Sequence, residues 1–127
     1  MRSPKIVIDS DIILDHLTTS DSVSILRRLM AQYFCYTTVF NAVELFAGAH
    51  GLRERNAVEN AMSAMKVLGI SPKNAKNIAV VYRNNASVSG LIAGIAVESG
   101  LPIVTMHPSR FRKVKALSVI PVKKLIH

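Results

Sequence analysis

Short apolar runs alternate along this chain with longer stretches of helical spacing. Lys5-Ile6-Val7-Ile8 is a β-branched run with no polar face, the pattern of a parallel strand buried on both sides. Asp9-Ser10-Asp11 ends it, and Ile12-Ile13-Leu14 predicts a short helix. Ser20 or Asp21 can cap a second helix running to Gln32, with Val23, Leu26, Leu29 and Met30 on one face. Phe34-Cys35-Tyr36-Thr37 reads as a second strand. Thr38 or Asn41 then opens a helix through Glu44, Leu45 and Phe46 that stops near Gly48–Gly51. From Arg53 to Leu68 the spacing predicts one helix, with Val58, Met62, Met65 and Leu68 on a stripe that suits a core better than a binding surface.

Ser71-Pro72 opens a further helix to Arg83, with proline in its first turn. Asn84-Asn85 is a turn. Ser87 to Ser99 is a helix of small residues (Gly90, Ala93, Gly94, Ala96) ended by Gly100, narrow enough to lie close against a sheet. Pro102-Ile103-Val104-Thr105 is a third strand, His107 to Phe111 a loop or single turn, and Ser118-Val119-Ile120 a short last strand. Strands alternating with helices predict an α/β fold, a central mainly parallel sheet flanked by helices. No repeat, linker or low-complexity segment divides residues 1–127, a length that suits one domain.

Composition narrows the class. Half of the residues are hydrophobic and 19% are charged, which excludes intrinsic disorder. No apolar run approaches the roughly 20 residues that span a bilayer. The start, Met1-Arg2-Ser3-Pro4-Lys5, leads into too few apolar residues for a signal peptide, so a cytoplasmic protein with no membrane partner is expected. A single cysteine, Cys35, excludes an internal disulfide and a multi-cysteine zinc site, and its setting in a strand predicts a buried thiol. Charge is divided unevenly: residues 1–59 hold 6 Lys/Arg against 7 Asp/Glu, and residues 60–127 hold 10 against 1. Such a basic half favours a polyanionic partner, nucleic acid or an acidic protein segment, over a merely solvated surface.

In parallel sheets the working groups gather at the carboxyl ends of the strands. That rule selects Asp9, Ser10, Asp11, Thr37, Thr105 and His107. Asp9 directly follows a buried strand, where a carboxylate is costly without a partner, although Asp9 or Asp11 would also serve as a helix cap. Glu44, between Val43 and Leu45, is either an inward-facing acid or the solvated edge of its helix.

Three stretches of the chain, in order, resemble the motifs of PIN domains. Val7-Ile8-Asp9-Ser10-Asp11-Ile12-Ile13-Leu14-Asp15 is similar to their opening motif. Thr38-Val39-Phe40-Asn41-Ala42-Val43-Glu44-Leu45-Phe46-Ala47-Gly48-Ala49 is similar to their second. The stretch from Leu91 to Thr105 resembles the helix and strand that carry the third and fourth, and Arg110-Phe111 and Leu117-Ser118-Val119-Ile120 fit as well. The small members of that family are VapC-type toxins of toxin–antitoxin pairs, metal-dependent endoribonucleases in which about four acids hold Mg²⁺ or Mn²⁺.

The resemblance implies a single PIN-like domain, Asp9 and Glu44 as the first two acids and metal ligands, and RNA, an antitoxin and a second copy as partners. It also marks two departures: Ser89 and His107 stand where the family has its third and fourth acids. Two readings follow. One is a metal-dependent ribonuclease in which Asp9, Glu44, Ser89 and His107 form the catalytic group. The other is an inactive PIN-fold module, needing no cofactor, that binds RNA or an acidic protein. Arg110, Arg112, Lys113 and Lys115 are the candidate phosphate contacts in either case.

Overall fold

The structure, a computed structural model, describes residues 3–126. In chain order its elements are β1 (Lys5–Ile8), α1 (Ser10–Thr18), α2 (Ile25–Met30), β2 (Phe34–Thr38), α3 (Val39–Gly48), α4 (Gly51–Ser63), β3 (Lys66–Leu68), α5 (Pro72–Asn84), α6 (Val88–Ser99), β4 (Ile103–Thr105) and β5 (Val119–Pro121), with 3₁₀ turns at Pro108–Phe111 and Val122–Lys124. The five strands form one sheet in the order β3-β2-β1-β4-β5. Every pairing is parallel, with Val7 opposite both Tyr36 and Ile103.

The apolar run of β1 explains the layering. Successive side chains point to opposite faces, so Ile6 and Ile8 enter one core cluster and Val7 the other. The first cluster is covered by Ile12 and Ile13 of α1, Leu26 and Leu29 of α2, Leu45 of α3 and Val58 and Met62 of α4. The second is covered by Ile92, Ala93 and Ala96 of α6, with Phe111, Val114 and Leu117 beyond β4. From β1 the chain winds out through β2 to β3, then crosses back to lay β4 on the other side of β1. The segments leaving β1 and β4 therefore diverge, opening a crevice at their carboxyl ends.

Local chemistry moves several predicted boundaries. The first helix begins at Ser10, not Ile12, because the Asp9 carboxylate accepts from the Ser10 N–H and caps it. The second helix is only Ile25–Met30: Ser24 supplies its cap by accepting from Arg27 N, and Val23 and Met30 are exposed. The segment predicted as one helix to Leu68 ends at Ser63, and Lys66–Leu68 is an edge strand against β2. Met65 is buried in the first core cluster, in continuation of the Val58–Met62 spacing, which hides the break. A three-residue strand is too short to show an alternation of its own.

The small residues of α6 serve two neighbours. Ala93 and Ala96 face the sheet, whereas Gly90 and Gly94 face the α5 side. A Cβ at Gly94 would stand 2.8 Å from Ile78 Cγ2, and one at Gly90 would overlap the Asn85 carbonyl. Glycine is thus required by close approach of backbone rather than by the sheet. Cys35 is buried on β2, and burial pushes its thiol up to about 11, as its strand setting implied. Among the described residues no helix is long and apolar enough to cross a membrane.

Gly90→Ala is expected to destabilise by roughly 1–3 kcal/mol through overpacking. Gly48→Ala, where a Cβ meets nothing within 4 Å, should leave thermal stability nearly unchanged. Melting curves of the two variants check the contrast.

Candidate acidic site at the carboxyl ends of the central strands

Asp9 leaves the end of β1 and is 1% exposed. Its two oxygens are met from four parts of the chain. Oδ1 accepts from Ser10 N at 2.8 Å, from Asn41 Nδ2 at 3.1 Å and from Arg110 Nη1 at 2.8 Å. Oδ2 accepts from Thr105 Oγ1 at 2.8 Å. Burial pushes the Asp9 carboxyl above its ordinary range, against the opposing pull of the Arg110 charge and the Thr105 hydroxyl.

Asn41 is placed by the start of α3. Thr38 caps that helix and Asn41 closes the capping box: the Thr38 hydroxyl donates to Asn41 Oδ1 and accepts from Asn41 N. With its oxygen so committed, the amide turns its Nδ2 towards Asp9 and towards Ser10 Oγ at 2.9 Å. Glu44 lies three residues on, on the same helical face. Ser10 Oγ donates to Glu44 Oε1 at 2.7 Å, joining the second acid to the first.

Arg110 closes the arrangement. It sits on the 3₁₀ turn after β4, where Phe111, 1% exposed, anchors the backbone in the second core cluster. Nη1 reaches Asp9, Nη2 donates to Glu44 Oε2 at 2.6 Å, and Nε donates to Ser89 Oγ at 2.7 Å. A single guanidinium thus bridges both acids and the serine.

Asp11 forms a second, adjoining centre. Its Oδ2 accepts from Met106 N at 2.9 Å and lies 2.9 Å from His107 Nδ1. Thr105 Oγ1 is 3.0 Å from the same oxygen. The Thr105 hydroxyl has one proton, so it donates to Asp9 or to Asp11 but not to both at once. Asp11 Oδ1 is buried with no hydrogen-bond partner among the described residues.

The structure therefore brings Asp9, Glu44 and Ser89 together around Arg110. His107 stands apart from them: its side chain is 73% exposed and it contacts Asp11, so it does not complete the acid pair. Arg110 is turned inward onto carboxylates, a departure from the free phosphate contact its sequence position suggested. Arg112, Lys113 and Lys115 are exposed. Thr37 donates to the Ile8 carbonyl and so ties β2 to β1 rather than facing the crevice. Asn41 was selected only as a helix start. Its spacing of three from Glu44 was the signal that it shares the acid's face.

Two cavities flank Arg110. On one side a groove of about 700 Å³ is lined by Leu14, Leu17, Leu45 and Val58, with Asp11, Glu44 and Glu54. On the other a hollow of about 380 Å³ is lined by Ser87, Ser89, Ser109, His107, Arg112 and Lys113.

As arranged, the residues do not fit Mg²⁺ or Mn²⁺. Such ions need several free oxygen ligands. Here the Arg110 guanidinium stands between the two acids and donates to Asp9 Oδ1 and Glu44 Oε2, the oxygens that would have to turn to a shared ion. Among the described residues no group of three or more His, Cys, Asp or Glu is placed to hold a metal. The guanidinium also cancels one of the two negative charges that would attract a dication.

No protein-family model matches the chain. No curated protein matches it by sequence. Solved structures do match. A chain of DNA-bound VapBC from Salmonella typhimurium superposes with a TM-score of 0.78 at 18% identity, covering 92% of this chain and 97% of the other. A chain of VapBC2 from Rickettsia felis, bound to a promoter DNA fragment, gives 0.74 at 13% identity, with 91% and 97% covered. A toxin–antitoxin complex from Klebsiella pneumoniae gives 0.71 at 14% identity, with 92% and 97% covered. Likeness at these identities shows the fold: a PIN-like α/β domain with an all-parallel five-stranded sheet.

The native Asp9 holds its proton to higher pH than an unfolded aspartate. As pH rises above about 4, the unfolded chain releases this proton first, so Asp9 lowers stability with rising pH. Asp9→Asn removes that contribution. The melting temperature of the variant minus that of the parent should therefore rise from about pH 4 to about pH 7. A flat or falling difference would show that the ion pair with Arg110 outweighs burial.

Proposed function

We propose that this chain is a PIN-fold partner protein of the toxin–antitoxin type that binds rather than cuts. It takes an amphipathic segment of a protein partner in the groove beside its closed acid pair. The groove carries the proposal. Leu14, Leu17, Leu45, Ala49, Ala57 and Val58 give it an apolar floor of helix-binding size, and Leu14 is 53% exposed. Asp11, Glu44 and Glu54 line it too, so an occupant with apolar residues at helical spacing and a cationic side chain would be complementary. The similar solved structures include complexes of toxin with antitoxin, which supports a protein partner.

One observation favours the ribonuclease reading: Asp9 and Glu44 do converge on a common point. Against it stand the engaged carboxylate oxygens, Ser89 as a neutral acceptor and His107 turned onto Asp11. RNA would find its cations in the second hollow, at Arg112 and Lys113, and binding there would fall steeply with added salt.

A synthetic amphipathic peptide with leucines at helical spacing and one arginine should form a saturable complex with the purified protein. Leu14→Asp should weaken it about tenfold or more, by setting a charge in the apolar floor, while the free protein melts nearly where the parent does. A complex indifferent to Leu14→Asp would place the partner elsewhere. Purified protein should leave RNA intact with Mg²⁺ and with Mn²⁺, and cleavage that Asp9→Asn abolishes would restore the nuclease reading.

A further inference from the structure

The serine in place of an acid and the arginine turned inward are one feature. We infer that Arg110 is the built-in cation of this site and Ser89 the residue that seats it, so that Asp9 and Glu44 form a guanidinium–carboxylate clamp where a divalent ion would have to sit. The geometry is specific. Each of the three guanidinium nitrogens meets a different partner: Nε to Ser89 Oγ at 2.7 Å, Nη1 to Asp9 Oδ1 at 2.8 Å, Nη2 to Glu44 Oε2 at 2.6 Å. A planar, permanently charged fork suits such a set of acceptors, and a lysine would not reproduce it.

Charge explains why position 89 is neutral here. Two carboxylates and one guanidinium leave a net charge of −1, little attraction for a dication. A third carboxylate at position 89 would raise that to −2 around a single positive charge. The arginine is also held from behind. Its own backbone belongs to the turn Pro108–Phe111, the Phe111 side chain is buried, and Arg110 Cζ lies 5.3 Å from the centre of the Phe111 ring. Arg110 lines both the apolar groove and the basic hollow and so forms the wall between them. The clamp does not depend on what occupies the groove.

Manganese alone is the probe, read as loss of the free-ion electron paramagnetic resonance signal during titration of the full chain. The parent and Asp9→Asn should leave the signal equally intact, and so should Ser89→Asp, in which Arg110 remains. The double variant Ser89→Asp/Arg110→Met should remove about one equivalent, saturably, because three carboxylates then face one another with no guanidinium between them. Arg110→Gln in the same background keeps hydrogen-bond donors without the charge, and serves if the methionine variant fails to fold by circular dichroism. Stoichiometric Mn²⁺ uptake by the parent that Asp9→Asn abolishes would overturn the inference. So would uptake by Ser89→Asp equal to that of the double variant, or no uptake by a folded double variant.

Discussion

A carboxylate buried at the end of a central strand must be compensated, and the crevice of this protein is built around that requirement. Asp9 reaches its position because Ile6, Val7 and Ile8 are drawn into the two core layers, carrying the next residue to the rim of the sheet. Removing one partner of a buried pair typically costs roughly 3–5 kcal/mol, which sets the scale of what its neighbours contribute. Those neighbours come from α3, β4 and the turn after β4. Asp9 therefore does more than cap α1. It pins three later segments against the first strand, across separations of up to 101 residues.

The same compensation shapes what the site can do. An arginine that satisfies Asp9 also satisfies Glu44, so the two acids that would begin a metal centre are used up within the chain. The remaining chemical character of this end of the sheet lies on either side of Arg110. One side is apolar with acids along it. The other is lined by hydroxyls and cations. Surfaces of opposite character thus share a wall, and that wall is a side chain held by three hydrogen bonds.

Much of this was legible in residue order. The β-branched run 5–8, the caps at Thr38, Ser71 and Ser87 and the terminating Gly100 mark elements that the structure reproduces closely. Asp9 stood out because no apolar strand ends on a bare carboxylate without cause. Other features were hidden for identifiable reasons. The strand at Lys66–Leu68 continues the spacing of the helix before it, and only pairing with β2 distinguishes the two. Gly90 and Gly94 read as a surface for the sheet, yet it is α5 and its C-terminal turn that come within contact of them. His107, next to a strand end, was expected beside Asp9 and Glu44, and only the folded chain shows that its neighbour is Asp11.

By itself the sequence determined the layered α/β class, most of the helices that join the strands and the presence of Asp9 at the end of the first strand. Each of these follows from short-range pattern: hydrophobic period, capping chemistry and the burial of one strand on both faces. The pairing of charges was decided only by the tertiary structure. Arg110 lies 101 residues from Asp9 and 66 from Glu44 along the chain. No local pattern distinguishes an arginine that faces solvent from one that folds back onto carboxylates. The difference rests on Phe111 fixing the turn, on Asn41 orienting Asp9 and on the crossover that sets β4 beside β1. Long-range electrostatics can be satisfied only after the chain has closed, and so the meaning of a charged residue is settled last.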